Sequence, residues 1–429
     1  MRFTLTARTA VPFAVLTGAA LAAGLLYTAS GTPASSAGPE SSTAARWSQS
    51  WGAAMQRPLA GDEDSGKNWS VTGFENHTLR QVVRLSTGGT KIRIRLSNVY
   101  GTKPLKVAGA TVGRSPGGVK VWPGTMKALT FGGERSTVIE PGKELASDPV
   151  PLSTSPLEKL AVTLRFPEAT GPATFHRFTT QTAYRASGDH LSEPVSDAFD
   201  RSTDALYYLS GVDVEGEGSV VLFGDSLIDG VGATHGADGR LPDVLAERLA
   251  AAHRPIGVVN AGIGGNRLRH DSPCSGEKAT ARFTRDVLAR PGVRAVIVHL
   301  GANDLRNAPD DPCLRPGGPA TARQVIDAHR ELIRAARARG VTIIGVTIIP
   351  MKGALFPLWT PQLEKARDAV NHWIRTGGEY DAVVDADRAL ADPVEEDMPA
   401  LAYVYEDGLH PNDAGYQAIA REIDLGAFG

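Results

Sequence analysis

From residue 220 onward, short apolar runs alternate with longer amphipathic segments, and this alternation constrains the fold more than any other feature. Such a pattern predicts a parallel sheet with both faces covered by helices. The five predicted strands are 220–223, 256–259, 295–300, 342–349 and 382–385. The helices that follow them are predicted at 241–253, 279–289, 320–339, 361–375 and 413–423.

Open parallel sheets bind their ligands beyond the carboxyl ends of the strands, so the loops there hold the candidate site. The first of these loops reads Gly224-Asp225-Ser226-Leu227. A serine at the end of a buried strand, beside the N–H groups of a following helix, is well placed to act as a nucleophile. Asp225 and Ser226 would equally suit the start of a helix as capping residues. This loop alone leaves both interpretations open.

Three later loops add complementary chemistry. The segment 260–267, Asn-Ala-Gly-Ile-Gly-Gly-Asn-Arg, can bring bare backbone N–H groups close to a ligand. The segment 301–304, Gly-Ala-Asn-Asp, offers a neutral amide donor. Asp407 precedes His410 by three residues and can accept from its Nδ1, which leaves Nε2 free to take a serine proton. Each loop could alone be an ordinary polar turn, but all four fall on one predicted rim.

In this order the four loops resemble the SGNH, or GDSL-type, hydrolase family over roughly residues 217–426. The matching motifs are Gly-Asp-Ser-Leu at 224–227, the glycine block at 260–264, Gly-x-Asn-Asp at 301–304 and Asp-x-x-His at 407–410. Secreted two-domain members of actinobacterial type look most similar, in a branch related to arylesterases and xylan-associated esterases. The resemblance implies a flavodoxin-like, three-layer α/β domain.

The resemblance also implies a Ser-His-Asp mechanism of acyl transfer. Ser226 is then the nucleophile, His410 the base and Asp407 the residue that orients the base. The implied oxyanion hole comprises the backbone N–H groups of Ser226 and Gly262 and the side-chain amide of Asn303. This chemistry requires no metal or organic cofactor. We therefore expect a secreted carboxylic ester hydrolase, with a polysaccharide O-deacetylase of acetylxylan type or a lipase as alternatives. A non-catalytic glycan-binding protein is the alternative from a different class.

The N-terminal segment has the pattern of a secretory signal. Arg2 and Arg8 precede a charge-free run that starts at Val11, and small residues follow the run. We predict a signal peptide at 1–37 and a flexible leader at 38–46, with an uncleaved membrane anchor as the alternative. In an exported protein the two cysteines are expected to form a disulfide, the alternative being two free thiols. They are Cys274 and Cys313.

Residues 47–211 are predicted to form a β-sandwich or jelly-roll-like domain, followed by a junction at 212–219 and the hydrolase domain at 217–429. Segments 78–86 and 91–98 flank Thr-Gly-Gly-Thr, which predicts a hairpin. In the second segment, isoleucine and leucine alternate with a basic row that is expected to be solvated. The basic row comprises Lys91, Arg93 and Arg95.

The formal net charge of −2 gives no reason to expect nucleic acid as a partner. We expect a small-molecule or polysaccharide-linked ester substrate and no stable membrane insertion, while the sequence leaves the oligomeric state open. Three histidines outside the motifs are expected to play no part in catalysis. His235 and His270 are expected at the surface and His299 in the core.

Overall fold

The computed structural model describes residues 46–62, 65–195, 197–314, 317–355 and 359–429. The predicted signal peptide and nearly all of the predicted leader lie outside these residues. Among the helices in the described ranges, none combines the length and apolar character needed to cross a bilayer.

The first region of the chain consists of antiparallel strands. Its strands are β1 (Trp47–Gly52), β2 (His77–Arg84), β3 (Gly89–Ser97), β4 (Leu105–Val107), β5 (Gly109–Arg114), β6 (Lys127–Ala128), β7 (Thr137–Ile139), β8 (Glu144–Ala146), β9 (Val150–Thr154), β10 (Lys159–Phe166), β11 (Phe175–His176), β12 (Ala183–Ser187), β13 (Arg201–Thr203), β14 (Leu206–Tyr207) and β15 (Leu209–Glu215). One sheet has the order β1-β15-β3-β8, with β9 also on β3, and the other β13-β12-β2-β10-β5-β6. Two small sheets, β11-β14 and β4-β7, complete the region.

The core of this antiparallel region lies between the two large sheets. Ile92, Ile94 and Leu96 of β3 are fully buried there, as their alternation predicts. Leu160 and Phe166 of β10 enter the same core from the opposite sheet. Two sheets that share one apolar interior form a β-sandwich, so the predicted class of this region is confirmed.

The hairpin predicted between β2 and β3 is wrong. β2 pairs with β10 and β12, whereas β3 pairs with β15, β8 and β9 in the other sheet. The turn between β2 and β3 therefore crosses from one sheet to the other. Both strands carry large apolar residues that fill the shared core, and each finds its hydrogen-bonding partners far along the chain.

The predicted basic row and the predicted junction also differ from the structure. Arg93 and Arg95 both pair at 2.9 Å with Asp213, which is completely buried, so only the end of the row at Lys91 is a solvated surface. Asp213 belongs to β15, which continues to Glu215 between β1 and β3. The residues after 211 are thus largely strand, and the link to the second region is confined to 216–218.

The second region is a three-layer α/β fold around a parallel sheet of order β17-β16-β18-β19-β20. This flavodoxin-like order confirms the predicted fold class. The strands are β16 (Ser219–Gly224), β17 (Gly257–Gly262), β18 (Val293–His299), β19 (Thr342–Val346) and β20 (Ala382–Val384). The helices are α1 (Ser226–Asp229), α2 (Leu241–Ala251), α3 (Ala279–Phe283), α4 (Ala302–Leu305), α5 (Ala322–Arg337), α6 (Pro361–Thr376), α7 (Ala386–Leu390) and α8 (Asp413–Arg421). A π-helical turn at Thr284–Leu288 continues α3, and 3-10 turns lie at Pro312–Leu314 and Leu425–Phe428.

Hydrogen bonds join the two regions along β17, an edge strand of the parallel sheet. The Val258 N–H donates to Ser86 Oγ at 2.7 Å, and the Ser86 hydroxyl also donates to the Ser50 carbonyl oxygen. Near the same edge, the Gln49 N–H donates to the Pro291 carbonyl oxygen at 3.2 Å. The antiparallel region therefore packs along the β17 edge of the parallel sheet, where β1 lies beside β17.

Candidate active site

Ser226 is the first residue of α1, directly after the central strand β16. Asp225 caps this helix, because its Oδ1 accepts from the Leu227 N–H at 3.2 Å. The Ser226 N–H has no acceptor among the residues that the structure describes. The turn therefore presents the Ser226 hydroxyl and an unused backbone donor to the same cleft.

Ser226, His410 and Asp407 form one hydrogen-bonded chain. His410 Nε2 lies 2.8 Å from Ser226 Oγ, and His410 Nδ1 lies 2.5 Å from Asp407 Oδ2. The other oxygen of Asp407 accepts from the N–H groups of Leu409 and His410, each at 2.9 Å. Burial would raise the pKa of Asp407, but the hydrogen bond and charge of His410, with these N–H groups, hold it below the ordinary value of 3.8. The Asp407 carboxylate is therefore ionised at neutral pH and fixes the ring so that Nε2 faces Ser226.

Gly262 does not present its N–H to the cleft, so its sequence-based assignment needs correction. The Gly262 N–H donates to Asn260 Oδ1 at 2.9 Å, and Gly262 does not line the cavity beside Ser226. Gly264 and Gly265, farther along the same loop, do line it. Within the described ranges the Gly265 N–H meets no acceptor. Gly265 has a φ of 74°, and a Cβ there would overlap Ser275 Oγ, so the position requires glycine.

Asn303 lies in α4 and also lines the cleft. Its Nδ2 donates to the Asn266 carbonyl oxygen at 3.2 Å, which leaves its second N–H for a ligand. Asp304 ties this loop to the glycine loop by accepting from the Leu268 and Arg269 N–H groups at 2.8 and 3.2 Å. Burial raises the pKa of Asp304 to about 6 despite these bonds. The N–H groups of Ser226 and Gly265 and the Asn303 amide are thus three unused donors on residues that line the same cleft as the Ser226 hydroxyl.

A disulfide connects the segments that follow these two donor loops. Cys274 and Cys313 form the predicted bond, and both residues line the cleft. The bond closes a segment with a sequence separation of 39 residues. On a loop-entropy estimate, such a link destabilises the unfolded chain by about 4 kcal/mol.

The cleft has a volume of about 850 Å³, and the antiparallel region forms one of its walls. That wall comprises Asp62 and the run Arg177-Phe178-Thr179-Thr180, which follows β11. Arg177 forms an ion pair with Asp62, and its guanidinium lies 5.0 Å from the centre of the Phe178 ring. The sequence-based prediction missed these residues, because no pattern in the sequence indicates which turn of a β-sandwich will face a neighbouring sheet.

Asp225 and His299 form a second pair beside the serine. His299 Nδ1 lies 2.8 Å from Asp225 Oδ1, and each side chain is 2% exposed. His299 is thus buried as expected, but it also contributes to the cleft wall. His235 lines the cleft, where its half-exposed ring pairs with Asp204 at 3.1 Å, whereas His270 is not part of the lining.

The described residues contain one group of carboxylates with spacing suited to a cation, formed by Glu364, Asp368 and Asp397. Arg367 extends its guanidinium towards all three of them. A protein cation therefore already pairs with these carboxylates, which are separate from the cleft lining. The residues around Ser226 provide the groups for nucleophilic catalysis rather than a set of metal ligands.

Residues 222–418 match the profile of the family described as GDSL-like Lipase/Acylhydrolase. No curated protein sequence matches the chain significantly. Among solved structures, the chain is similar to the native aryl esterase of M. smegmatis, with 17% identity over 48% of this chain and 95% of that chain and a TM-score of 0.37.

Two further solved structures are similar over a comparable share of the chain. A carbohydrate acetylesterase family member from Sinorhizobium meliloti has 16% identity over 48% of this chain and 94% of that chain, with a TM-score of 0.37. A GDSL-like lipase from Bacteroides thetaiotaomicron has 15% identity over 49% of this chain and 88% of that chain, with a TM-score of 0.36. On the profile match, residues 222–418 form a GDSL-like lipase/acylhydrolase domain.

Proposed function

We propose that this protein is an exported serine esterase that cleaves carboxylic esters through an acyl-enzyme. The observation that carries the proposal is the hydrogen-bonded chain from Ser226 Oγ through His410 to Asp407, with separations of 2.8 and 2.5 Å. These are distances at which a base can take the proton of a nucleophile while a carboxylate holds its ring. The family profile supports the hydrolase class independently.

In the first half-reaction, Ser226 Oγ attacks the ester carbonyl carbon as His410 Nε2 takes its proton. The carbonyl oxygen becomes an oxyanion, for which the N–H groups of Ser226 and Gly265 and the Asn303 amide are the available donors. The resulting imidazolium is stabilised by Asp407. His410 then gives its proton to the departing alcohol oxygen as the carbon–oxygen bond breaks, which leaves an acyl-serine.

In the second half-reaction, a water molecule takes the position that the alcohol has left. His410 removes a proton from this water as its oxygen attacks the acyl carbon. The second tetrahedral intermediate uses the same three donors. Its collapse breaks the bond to Ser226 Oγ, which recovers its proton from His410, and the carboxylic acid leaves.

Two observations support export. The sequence of residues 1–37 has the pattern of a secretory signal. The disulfide between Cys274 and Cys313 is of a kind that persists in oxidising compartments.

A polysaccharide O-deacetylase is a second candidate function, and polar side chains on the cleft walls favour it. Asp62 and His235 line the cleft with half-exposed side chains, and the Asn303 amide lines it as well. Such groups can hydrogen-bond to the hydroxyls of a sugar. A substrate rich in hydroxyl groups is therefore a better match for these positions than a hydrocarbon chain.

The test uses a fluorophosphonate probe together with aryl esters from acetate to palmitate and acetylated xylan. The probe should label the wild-type protein and fail to label Ser226→Ala, whose kcat on the best ester should fall about 10⁴-fold or more. Ser153→Ala, at an exposed serine of β9, is the matched control and should behave like the wild type. Folded wild-type protein that resists the probe, or Ser226→Ala with full turnover, would refute the proposal.

A further inference from the structure

A further histidine–carboxylate pair lies beneath the glycine loop, with one partner from each region. His176 ends β11, and Asp229 ends α1, three residues after Ser226. His176 Nε2 lies 3.0 Å from Asp229 Oδ1, and the two side chains are only 4% and 1% exposed. Neither residue belongs to the Ser226–His410–Asp407 chain, and neither is a capping residue.

The hydrogen-bond partners of His176 determine its protonation state. Its Nδ1 lies 2.8 Å from the Ala54 carbonyl oxygen, which can only accept, so Nδ1 carries a proton. Its Nε2 faces Asp229, which accepts as well, so both ring nitrogens donate and the ring is an imidazolium. Burial alone would lower the pKa of His176, and Arg240 opposes its charge, but Asp229 and the Ala54 carbonyl raise it above 6.5.

Asp229 in turn holds the glycine loop at two points. Its Oδ2 accepts from the Gly264 N–H at 2.7 Å, and its backbone carbonyl accepts from Asn260 Nδ2 at 3.2 Å. The loop packs so tightly against α1 that a Cβ at Gly262 would overlap the Asp229 backbone N–H. Gly265, with its unused N–H, directly follows Gly264, whose N–H donates to Asp229. The direction of the Gly265 N–H therefore depends on where the Asp229 carboxylate is held.

We propose that His176 is a positioning residue for ester hydrolysis, which acts through Asp229 to keep the Gly265 N–H aimed at the oxyanion. The proposal rests on the esterase function inferred above. It makes the antiparallel region part of the catalytic apparatus, because His176 and Ala54, which orients its ring, both come from that region. A displaced donor stabilises the transition state less and leaves ground-state binding almost unchanged.

The test compares His176→Leu and His176→Gln with the wild type. The readouts are kcat, KM and the inhibition constant of an aryl trifluoromethyl ketone, which forms a tetrahedral oxyanion adduct with an active-site serine. Because small misplacements of catalytic groups cost up to about 10²-fold, we expect His176→Leu to lower kcat by about 30- to 100-fold with KM within about twofold. The ketone should bind more weakly by the same factor. His176→Gln, which can replace only one of the two hydrogen bonds, should lose about tenfold.

Ser86→Ala is the matched control, because it also removes a buried hydrogen bond between the two regions. Ser86 does not line the cleft, so its loss should lower the urea midpoint and leave kcat and ketone affinity unchanged. Equal kcat losses in Ser86→Ala and His176→Leu would overturn the proposal, since both would then reflect general loosening. If His176→Leu does not fold, folded His176→Gln with wild-type kcat and ketone affinity would overturn it. Failure of the esterase function itself is distinguished by the wild type, which would then resist the fluorophosphonate probe and hydrolyse none of the esters.

Discussion

The two regions of the molecule each contribute an imidazole that pairs with a carboxylate near the cleft, but the surroundings of the two rings differ. On the wall formed by the parallel sheet, His410 Nε2 faces the Ser226 hydroxyl, which can donate or accept. On the side of the antiparallel region, both nitrogens of His176 face groups that only accept. His410 can therefore exchange a proton in each half-reaction, whereas His176 has to keep both of its protons.

A histidine paired with a carboxylate thus provides a mobile proton in one region and a fixed charge in the other. His410 is three residues from its partner in the chain, and its side chain is 14% exposed at the open cleft. His176 is 53 residues from its partner and is shielded from water. Acid–base catalysis requires a ring nitrogen that can gain and lose a proton during the reaction. Rigid support requires that both ring nitrogens keep their protons and their hydrogen-bond partners. The hydrogen-bond partners, rather than the residue types, separate the two roles.

The largest expected effect on kcat comes from removing the histidine that exchanges a proton. His410→Ala should lower kcat by about 10⁴-fold, because Ser226 then lacks its base. The free energy of unfolding should change little, since the ring lies at the open cleft. Steady-state kinetics and urea unfolding measure the two quantities. A loss of kcat no larger than that of His176→Leu would contradict the distinction between His410 as the base and His176 as a fixed support.

A smaller loss of kcat is expected when a donor of the oxyanion hole is removed. Asn303→Ala removes one neutral donor and should lower kcat by about 10²–10³-fold, with KM within about twofold. The expected pattern matches that of His176→Leu, because both changes weaken stabilisation of the oxyanion. If the donors act as one set, the loss of kcat in the double variant of Asn303→Ala and His176→Leu should be smaller than the product of the two single losses. Fully multiplicative losses would show that the two residues act independently.

The smallest effect concerns stability and has opposite pH dependence for the two pairs. The pKa of Asp407 is lowered, so its contribution is present above about pH 4 and is lost as the pH falls through the folded-state pKa. The pKa of His176 is raised, so its contribution is complete below pH 6.5 and is lost as the pH rises through the folded-state pKa.

Urea unfolding of Asp407→Asn and His176→Leu beside the wild type, across the pH range, tests this prediction. The wild-type advantage over Asp407→Asn should shrink towards acid pH, and the advantage over His176→Leu towards alkaline pH. A His176 advantage that grows with pH would mean that the buried ring is neutral in the folded protein.

The loops of the parallel sheet could be predicted because their information is local. A strand end, a serine turn and an Asp-x-x-His spacing place Ser226, Asp407 and His410 on one rim without knowledge of distant contacts. The prediction of Gly262 as an oxyanion donor is wrong. The sequence of this short loop does not show whether the N–H of Gly262 or that of Gly265 is free to bind an oxyanion. Only the hydrogen bond from Gly262 to Asn260 shows which N–H is already used.

The contribution of the antiparallel region could not be predicted, for a physical reason. Strand pairing in a sandwich is decided by packing between distant segments, so even the partners of β2 and β3 differ from the predicted hairpin. His176 has no neighbour in the sequence that indicates a partner. Asp229 reads as an ordinary residue of the helix that Ser226 begins. Their pairing follows only from the way in which the two regions pack.

The hydrogen bond between Val258 and Ser86 has a further consequence for an edge of the parallel sheet. β17 is an edge strand, and the unpaired N–H and C=O groups of such strands recruit strands from other molecules. Ser86 occupies an N–H of β17, and β1 lies alongside it. The antiparallel region thus covers the β17 edge of the parallel sheet, and a fragment limited to the hydrolase region would leave that edge open to pairing with other molecules.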